Sequence, residues 1–453
     1  MRARRPDCQN PQPGPGRNPR CPPSPGSVTL PASNFPAAGA DARMPRTLHN
    51  LQALRGLACL AVVCYHVAGW EKLVWPSVRV LGPVRWFGFA GVDLFFALSG
   101  FIITRSHLFG GGRSVTLSRY LFRRAWRIYP PYWAALVSCT ALSAGVAGQS
   151  LFTPGWETDW FDWVLLVPRR DGCRFVPVAW SLNYELMFYL AFAGVFLVPS
   201  RAVPWLAGVW AVTVIAAKVV GWEPGPYWLK LPFSPFVLEF LGGAAAAGWA
   251  RSGTGRGARL LLAGAGVWAV AALVLLTGTD PDEFGGALWS RVLAFGPPAV
   301  TIVYASAVGE QPGTIRLPGW LRPVGDASYS IYLFHSSICI TTLFLTWGIS
   351  HSLLPHLAWL AMMVGSGVGG GWVVYRLIER PLLGPARAGK TGRDAAGRID
   401  PKGPDVGQVE RTGRDEATGA VAPGKFVLQL SAHPADPANT NRIAPARVIS
   451  PGW

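Results

Sequence analysis

Long apolar runs alternate with short polar connections along most of the chain. Each run is about 20 residues long, which is the length that a helix needs to cross the hydrocarbon core of a bilayer. The runs are continuously apolar and lack the period-two alternation of barrel strands, so they predict an all-α, polytopic transmembrane helix bundle. The predicted spans are residues 51–70, 86–105, 130–148, 178–198, 204–221, 233–250, 259–277, 289–308, 327–347 and 356–378.

Composition agrees with a membrane protein. Half of the 453 residues are hydrophobic, 14% are charged and 21 are tryptophan, and the mean hydropathy is +0.28. A soluble domain of this size normally carries about 25% charged residues. We therefore expect a multi-pass protein of the plasma (inner) membrane.

The distribution of arginine predicts the orientation. The connection after the second span holds six arginines and no acidic residue, whereas residues 278–289 hold three acidic residues. By the positive-inside rule, the arginine-rich connection and both termini are cytoplasmic. The formal net charge of +17 is spread over loops and tails, so it indicates topology and contact with anionic lipids, and no nucleic-acid partner. The arginines of that connection are Arg105, Arg113, Arg119, Arg123, Arg124 and Arg127.

The two ends differ from the middle of the chain. Residues 1–47 are basic and rich in proline, residues 385–453 are polar, and neither has a periodic apolar pattern, so both are predicted to be disordered. No cleavable signal peptide is evident, and Met44 is an alternative start. The seven cysteines form no metal-binding pattern and no disulfide framework, so we expect neither a metal nor a structural disulfide.

Ionisable residues inside the predicted spans are the first candidates for function, because a charge in hydrocarbon is costly. His66 lies in the outer half of the first span, and Asp93 and Glu185 reach a similar depth from the outer side, so the three can meet. Arg55 lies eleven positions before His66, on nearly the same helix face and about 16 Å nearer the cytoplasm. The remaining candidates are Lys218, Glu239 and His335.

Six fragments in order give the chain a resemblance to the membrane acyltransferase 3 family. They are LQALRGLACLAVVCYHVAGW, FGFAGVDLFFALSGFIIT, YLFRRAWRIYPPYW, VAWSLNYELMFYL, DASYSIYLFHSSI and LIERPL. The resemblance covers residues 48–384. It implies transfer of an acyl group, commonly acetyl, from cytoplasmic acyl-CoA to a hydroxyl of a glycan or related acceptor, often across the membrane. The family's arginine and histidine motif matches Arg55 and His66, and its arginine pair matches Arg124 and Arg127.

Acyl transfer to a hydroxyl needs a general base, and imidazole suits that task near neutral pH. His66 is the candidate base, and Asp93 or Glu185 is the candidate partner that orients its ring; transient acylation of His66 is an alternative. Asp93 and Glu185 can also be read as bracing groups within the helices. The YPPY sequence at 129–132 is expected to mark the turn into the third span.

Arginine suits the donor, because guanidinium binds phosphate in bidentate fashion. Arg55, Arg124 and Arg127 are therefore candidates for binding acyl-CoA, expected to be acetyl-CoA, as a co-substrate with no resident cofactor. The arginine-rich connection can also serve topology alone. The candidates for contact with the acceptor are Trp180, Ser181, Tyr332 and His335.

A second class of function is also consistent with buried charges across several spans. A non-enzymatic permease for a small anion or a glycan precursor would carry such charges along its transport path. No inverted repeat and no matching pair of broken helices is evident in the sequence, which favours the acyltransferase.

Overall fold

The structure is a computed structural model, and it describes part of the chain. The predicted disordered ends, residues 1–47 and 385–453, lie outside the described residues, as do residues 149–155, 170–172 and 174 of the predicted outer loop 149–177. The described residues are 48–75, 79–109, 115–147, 156–169, 173, 175–253, 255–276, 287–310, 313–346 and 355–383.

Helices make up the regular structure of these ranges, which contain no strand. The predicted all-α class is thereby confirmed. A 3-10 helix at Gly82–Trp86 connects the first two helices, and π-helical turns at Arg105–Phe109 and Tyr375–Glu379 extend two others. The α-helices are α1 (His49–Val74), α2 (Ala90–Thr104), α3 (Leu117–Ala147), α4 (Trp156–Leu165), α5 (Trp180–Ala193), α6 (Val203–Val219), α7 (Tyr227–Lys230), α8 (Phe236–Trp249), α9 (Ala258–Leu276), α10 (Leu288–Glu310), α11 (Leu321–Asp326), α12 (Ser328–Thr346) and α13 (His356–Val374).

Six helical segments in the described ranges are long and apolar enough to cross a membrane. Two shorter apolar helices, Val203–Val219 and Ala258–Val274, coincide with further predicted spans. The predicted spans 130–148 and 178–198 fall on α3 and α5. The total of ten spans stays a prediction. The six segments are His49–Val74, Ala90–Phe109, Tyr227–Trp249, Leu288–Glu310, Ser328–Thr346 and His356–Leu383.

The expected turn at the YPPY sequence is wrong, because α3 continues through Pro130 and Pro131. Proline removes one backbone hydrogen bond from a helix, so the helix needs support from its surroundings. Tyr129, Tyr132 and Trp133 donate side-chain hydrogen bonds of 2.6 to 3.0 Å to the carbonyls of residues 163–165. These bonds hold α3 on both sides of the prolines and satisfy carbonyls at the end of α4.

Glycine allows two pairs of helices to approach closely. Added Cβ atoms at Gly100 and Gly243 would clash with backbone carbonyls across the α2–α8 contact, and the same holds for Gly56 and Gly325 across the α1–α11 contact. Small residues of this kind let membrane helices pack backbone against backbone. The tight contacts fix the position of α1 and α2, which carry the predicted site residues.

Carboxylates hold both ends of α1. Glu310, at the end of α10, accepts hydrogen bonds of 2.7 and 2.8 Å from the backbone N–H groups of residues 49–50. These are among the N–H groups that a helix start leaves without an internal partner. At the other end, Glu71 is fully buried and lies 2.7 Å from Nε2 of His356. The long first helix is therefore fixed relative to α10 and α13.

Asp93 joins α2 to α10 through a buried ion pair. Nε of Arg291 lies 2.9 and 3.2 Å from the two oxygens of Asp93, and Nη2 lies 2.6 Å from one of them. The Arg291 guanidinium also stacks over Phe89 and Phe236, at 4.8 and 5.1 Å from the ring centroids. Glu239 is buried beside this pair and interacts electrostatically with both Asp93 and Arg291. The pair occupies the core between three helices.

We expect Asp93→Asn to lower the stability of the folded protein markedly, because it leaves the guanidinium of Arg291 buried without its counter-ion. Breaking one side of a buried pair costs about 3–5 kcal/mol. The thermal unfolding midpoint in detergent measures the loss. Glu223→Gln is the control, because the ion pair of Glu223 with Lys230 is exposed and contributes little. An equal effect of both substitutions would contradict a structural role of the buried pair.

Candidate active site

A cavity with a volume of about 100 Å³ opens between α1, α2, α3, α5 and α12. This volume is enough for several water molecules or a small acyl group. One side of the cavity is apolar, with side chains such as Val92, Phe96 and Leu182, and the other side is polar. The polar lining consists of Arg55, Ser99, Arg124, Arg127, Ser181, Glu185, Tyr189, Ser328, Tyr329 and Tyr332.

Three half-buried arginines give the cavity its positive charge. Arg55 comes from α1, and Arg124 and Arg127 come from one face of α3. The guanidinium of Arg124 stacks on Tyr189, at 4.9 Å from the ring centroid. Arg55 and Arg127 form no hydrogen bond or ion pair within 4.0 Å with another described residue. Both groups therefore present N–H donors to whatever enters the cavity.

Two carboxylates balance part of this charge. Glu185 accepts a hydrogen bond from the hydroxyl of Tyr189 and interacts electrostatically with Arg55 and Arg127. Glu379 also interacts with both arginines, and its Oε2 accepts a 2.6 Å hydrogen bond from Ser330. With three guanidinium groups and two carboxylates in this cluster, one positive charge remains in excess. The cavity suits an anionic ligand.

His66 pairs with a second histidine. Nδ1 of His335 lies 2.8 and 3.1 Å from two backbone carbonyls, and Nδ1 of His66 lies 2.9 Å from the carbonyl of Val62. Carbonyls only accept hydrogen bonds, so each Nδ1 carries the proton of its neutral ring. Nε2 of His335 then accepts from Nδ1 of His66 at 3.2 Å. This assignment makes Nε2 of His66 the ring nitrogen that can take up a proton.

Tyr332 connects the cavity to the histidine pair. Its hydroxyl lies 2.8 Å from Oγ of Ser181 in the cavity lining, and its ring centroid lies 6.1 Å from that of His335. Tyr332 and His335 are three residues apart on α12, so they share a face of that helix. Arg55 and His66 both face α12, as their spacing on α1 predicts. Tyr332 thus lies between the cavity and His335, which contacts His66.

The structure distributes the predicted residues over three places. Six of them line the cavity, and His66 and His335 form the pair described above. Asp93 binds Arg291, so the structure gives His66 a histidine partner where the sequence predicts a carboxylate. The six cavity residues are Arg55, Arg124, Arg127, Ser181, Glu185 and Tyr332.

Trp180 and the two remaining candidates lie elsewhere. Trp180 packs against Phe236 and Arg291, at 5.8 Å between ring centroids and 5.9 Å from the guanidinium carbon. Glu239 is buried near Asp93, and Lys218 is exposed on α6. Contact with the acceptor stays a prediction for Trp180.

Two charged residues at the site were missed by sequence reasoning. Glu379 belongs to the LIERPL fragment, and Arg291 lies inside the predicted span 289–308. The cost of a charge in hydrocarbon was a signal for Arg291, whereas Glu379 lies one residue beyond the predicted span 356–378. Their partners, Ser330 and Asp93, are distant in sequence and become evident only in the fold.

Comparison with known proteins agrees with this arrangement. Residues 48–376 match the acyltransferase domain model of the acyltransferase 3 family. The exopolysaccharide production protein ExoZ of Rhizobium meliloti is 32% identical over 332 residues, which cover 69% of this chain and 94% of ExoZ. No solved structure matches the chain.

Two longer relatives are similar over the same region. The peptidoglycan O-acetyltransferase OatA of Listeria monocytogenes is 26% identical over 326 residues, 65% of this chain and 49% of OatA. A putative peptidoglycan O-acetyltransferase of Bacillus subtilis, YrhL, is 25% identical over 327 residues with the same coverage. The chain thus spans about half the length of these two relatives. With the family match over most of its length, the chain belongs to the acyltransferase 3 family and is an acyltransferase.

Proposed function

We propose that the protein is an O-acyltransferase that moves an acyl group, expected to be acetyl, from cytoplasmic acyl-CoA to a hydroxyl of an extracytoplasmic carbohydrate. The names of its relatives support the acceptor class, since they refer to exopolysaccharide production and to peptidoglycan O-acetylation. The family match favours the enzyme over a permease.

The observation that carries the proposal is the positively charged cavity. CoA has several phosphates, and guanidinium is the side chain best suited to bind them. Arg55 and Arg127 line the cavity and form no hydrogen bond with another residue in the described part of the chain, and Arg124 lies beside them. In this proposal the phosphates bind the three arginines. The pantetheine arm, which is of the same order of length as the rise of about 16 Å from Arg55 to His66, extends past Tyr332 toward the histidine pair.

The histidine pair supplies the base. Nε2 of His66 removes the proton from the acceptor hydroxyl as the oxygen attacks the thioester carbonyl. The C–O bond forms, the C–S bond breaks, and the CoA thiolate takes up the proton from the imidazolium of His66. His335 holds the His66 ring in the required tautomer through its Nε2. This step needs no acyl-enzyme.

The proposal includes the membrane topology. Ten spans with both termini in the cytoplasm put the Arg124 and Arg127 segment on the cytoplasmic side of the plasma membrane. The cavity then opens toward the donor. His66, farther along α1, is nearer the acceptor.

We expect His66→Ala to reduce acyl transfer by about 10²- to 10⁴-fold, the contribution of a positioned general base. The rate of acetyl-ester formation is measured at matched amounts of folded protein in the membrane. His49→Ala is the control, because His49 is an exposed histidine on the same helix. Near-normal turnover of His66→Ala would exclude His66 as the base.

We expect Arg127→Ala to raise KM for acyl-CoA more than KM for the acceptor, because the lost guanidinium binds the donor in the ground state and the transition state alike. Arg124→Ala should act in the same direction. Steady-state kinetics with each substrate varied in turn measures the change. Arg119→Ala is the control, because Arg119 is exposed on the same helix. A change confined to the acceptor KM would contradict donor binding in the cavity.

Sidedness tests the proposed direction of transfer. We expect oriented proteoliposomes with acetyl-CoA on the cytoplasmic side to acetylate an acceptor that is supplied only on the opposite side. Ester formation on the acceptor is measured by mass spectrometry. Liposomes without the protein control for leakage of acetyl-CoA or acceptor across the bilayer. Transfer that occurs only when donor and acceptor share one side would overturn the through-membrane direction and leave the acyltransferase assignment intact.

A further inference from the structure

A second cationic group lies on the far side of His66 from the cavity. Arg85 belongs to the 3-10 helix Gly82–Trp86, which connects α1 to α2. Its guanidinium carbon lies 5.9 Å from the ring centroid of Tyr65, and its charge acts electrostatically on His66. Arg55, Arg124 and Arg127 lie at the other end of α1, about 16 Å away along the helix.

Gly69 makes the position of Arg85 possible. A Cβ at Gly69 would lie 3.2 Å from Nη1 of Arg85, so a larger side chain would require the guanidinium to shift by a few tenths of an ångström. Tyr65 and Gly69 are four residues apart on α1 and lie one above the other. Arg85 therefore rests along this stripe, directly beside the turn that carries His66, and it is half-buried.

Trp70 adds an apolar surface to the same place. Its ring centroid lies 6.2 Å from that of His66, and the two rings are inclined by 36°. The indole is half-buried, so part of it is open to a ligand. Aromatic faces of this kind offer a large, rigid apolar contact area. His66 and Trp70 thus share one stripe of α1, and Arg85 lies along the adjacent stripe of Tyr65 and Gly69.

We infer that Arg85 and Trp70 form the acceptor subsite, and that this subsite takes an acidic saccharide whose carboxylate binds Arg85 while its hydroxyl faces Nε2 of His66. The inference rests on the proposed function and specifies its substrate class. The proposed function assigns the donor phosphates to the three arginines of the cavity, whereas the charge of Arg85 acts on His66 from the α1–α2 connection, where a second substrate would meet it. Guanidinium binds a carboxylate in bidentate fashion, which would fix the sugar relative to the base.

Two acceptors that differ in one group test the inference. p-Nitrophenyl β-D-glucuronide carries a carboxylate where p-nitrophenyl β-D-glucoside carries a hydroxymethyl group. With acetyl-CoA and the full chain in nanodiscs, we expect kcat/KM for the glucuronide to exceed that for the glucoside by about 10-fold or more, the effect of one charge-assisted hydrogen bond. Arg85→Gln should abolish this preference through KM, and Arg85→Lys should retain part of it.

Arg79→Gln is the matched control, because Arg79 is an exposed arginine in the same connection; it should leave the preference unchanged. Equal kcat/KM for the two acceptors in the wild type, or a preference that survives Arg85→Gln, would overturn the inference. Binding is measured separately as the increase in the thermal unfolding midpoint of the protein that each glycoside causes in the absence of acetyl-CoA. Stabilisation by the glucuronide that Arg85→Gln removes, together with no acetyl transfer, would support the subsite and refute the proposed function. No preferential stabilisation and no transfer would refute both.

Discussion

Charge buried in an apolar helix bundle is the constraint on which the rest of this structure depends. A charged side chain at the centre of a bilayer costs about 2.5–3.5 kcal/mol on insertion scales, so each such group needs a partner or a function. Arg291 and Asp93 meet the constraint with a closed pair, in which three N–H···O contacts join the two groups. The charges at the cavity are not balanced in this way, since three arginines lie beside two carboxylates. The unbalanced charge is the physical basis for the proposal that an anionic donor binds in the cavity.

The histidine pair gives the base an unusual support. In hydrolytic triads a carboxylate orients the imidazole and stabilises its charged form. Here neutral His335 fixes the tautomer of His66, and its own Nδ1 is held by the carbonyls of Ile331 and Tyr332. The ring is thus oriented by the backbone of α12 without a further buried charge. In the proposed mechanism His66 is the base, and it lies between two cationic regions: the cavity, proposed for the donor, and Arg85, proposed for the acceptor.

Particular residues show how far the sequence predicts this site. The spacing of Arg55 and His66 places both on the face of α1 toward α12, and the spacing of Arg124 and Arg127 places both in the cavity wall. The partner of His66 was not predictable, because His335 lies 269 positions away. Continuation of α3 through Pro130 and Pro131 was also unpredictable, since the hydrogen bonds that support it come from side chains whose acceptors lie in another helix.

The sequence by itself determined the helical class, the apolar segments that make up the bundle, the family and the candidate residues for the chemistry. These properties follow from local composition and from the helical period, which need no knowledge of distant contacts. The tertiary structure alone decided the pairing of those residues. In the fold Asp93 pairs with Arg291, Glu379 interacts with the cavity arginines, and His335 contacts His66. A buried polar group takes the partner that helix packing brings within hydrogen-bond distance, and packing depends on the close approach of small residues such as Gly100 and Gly243.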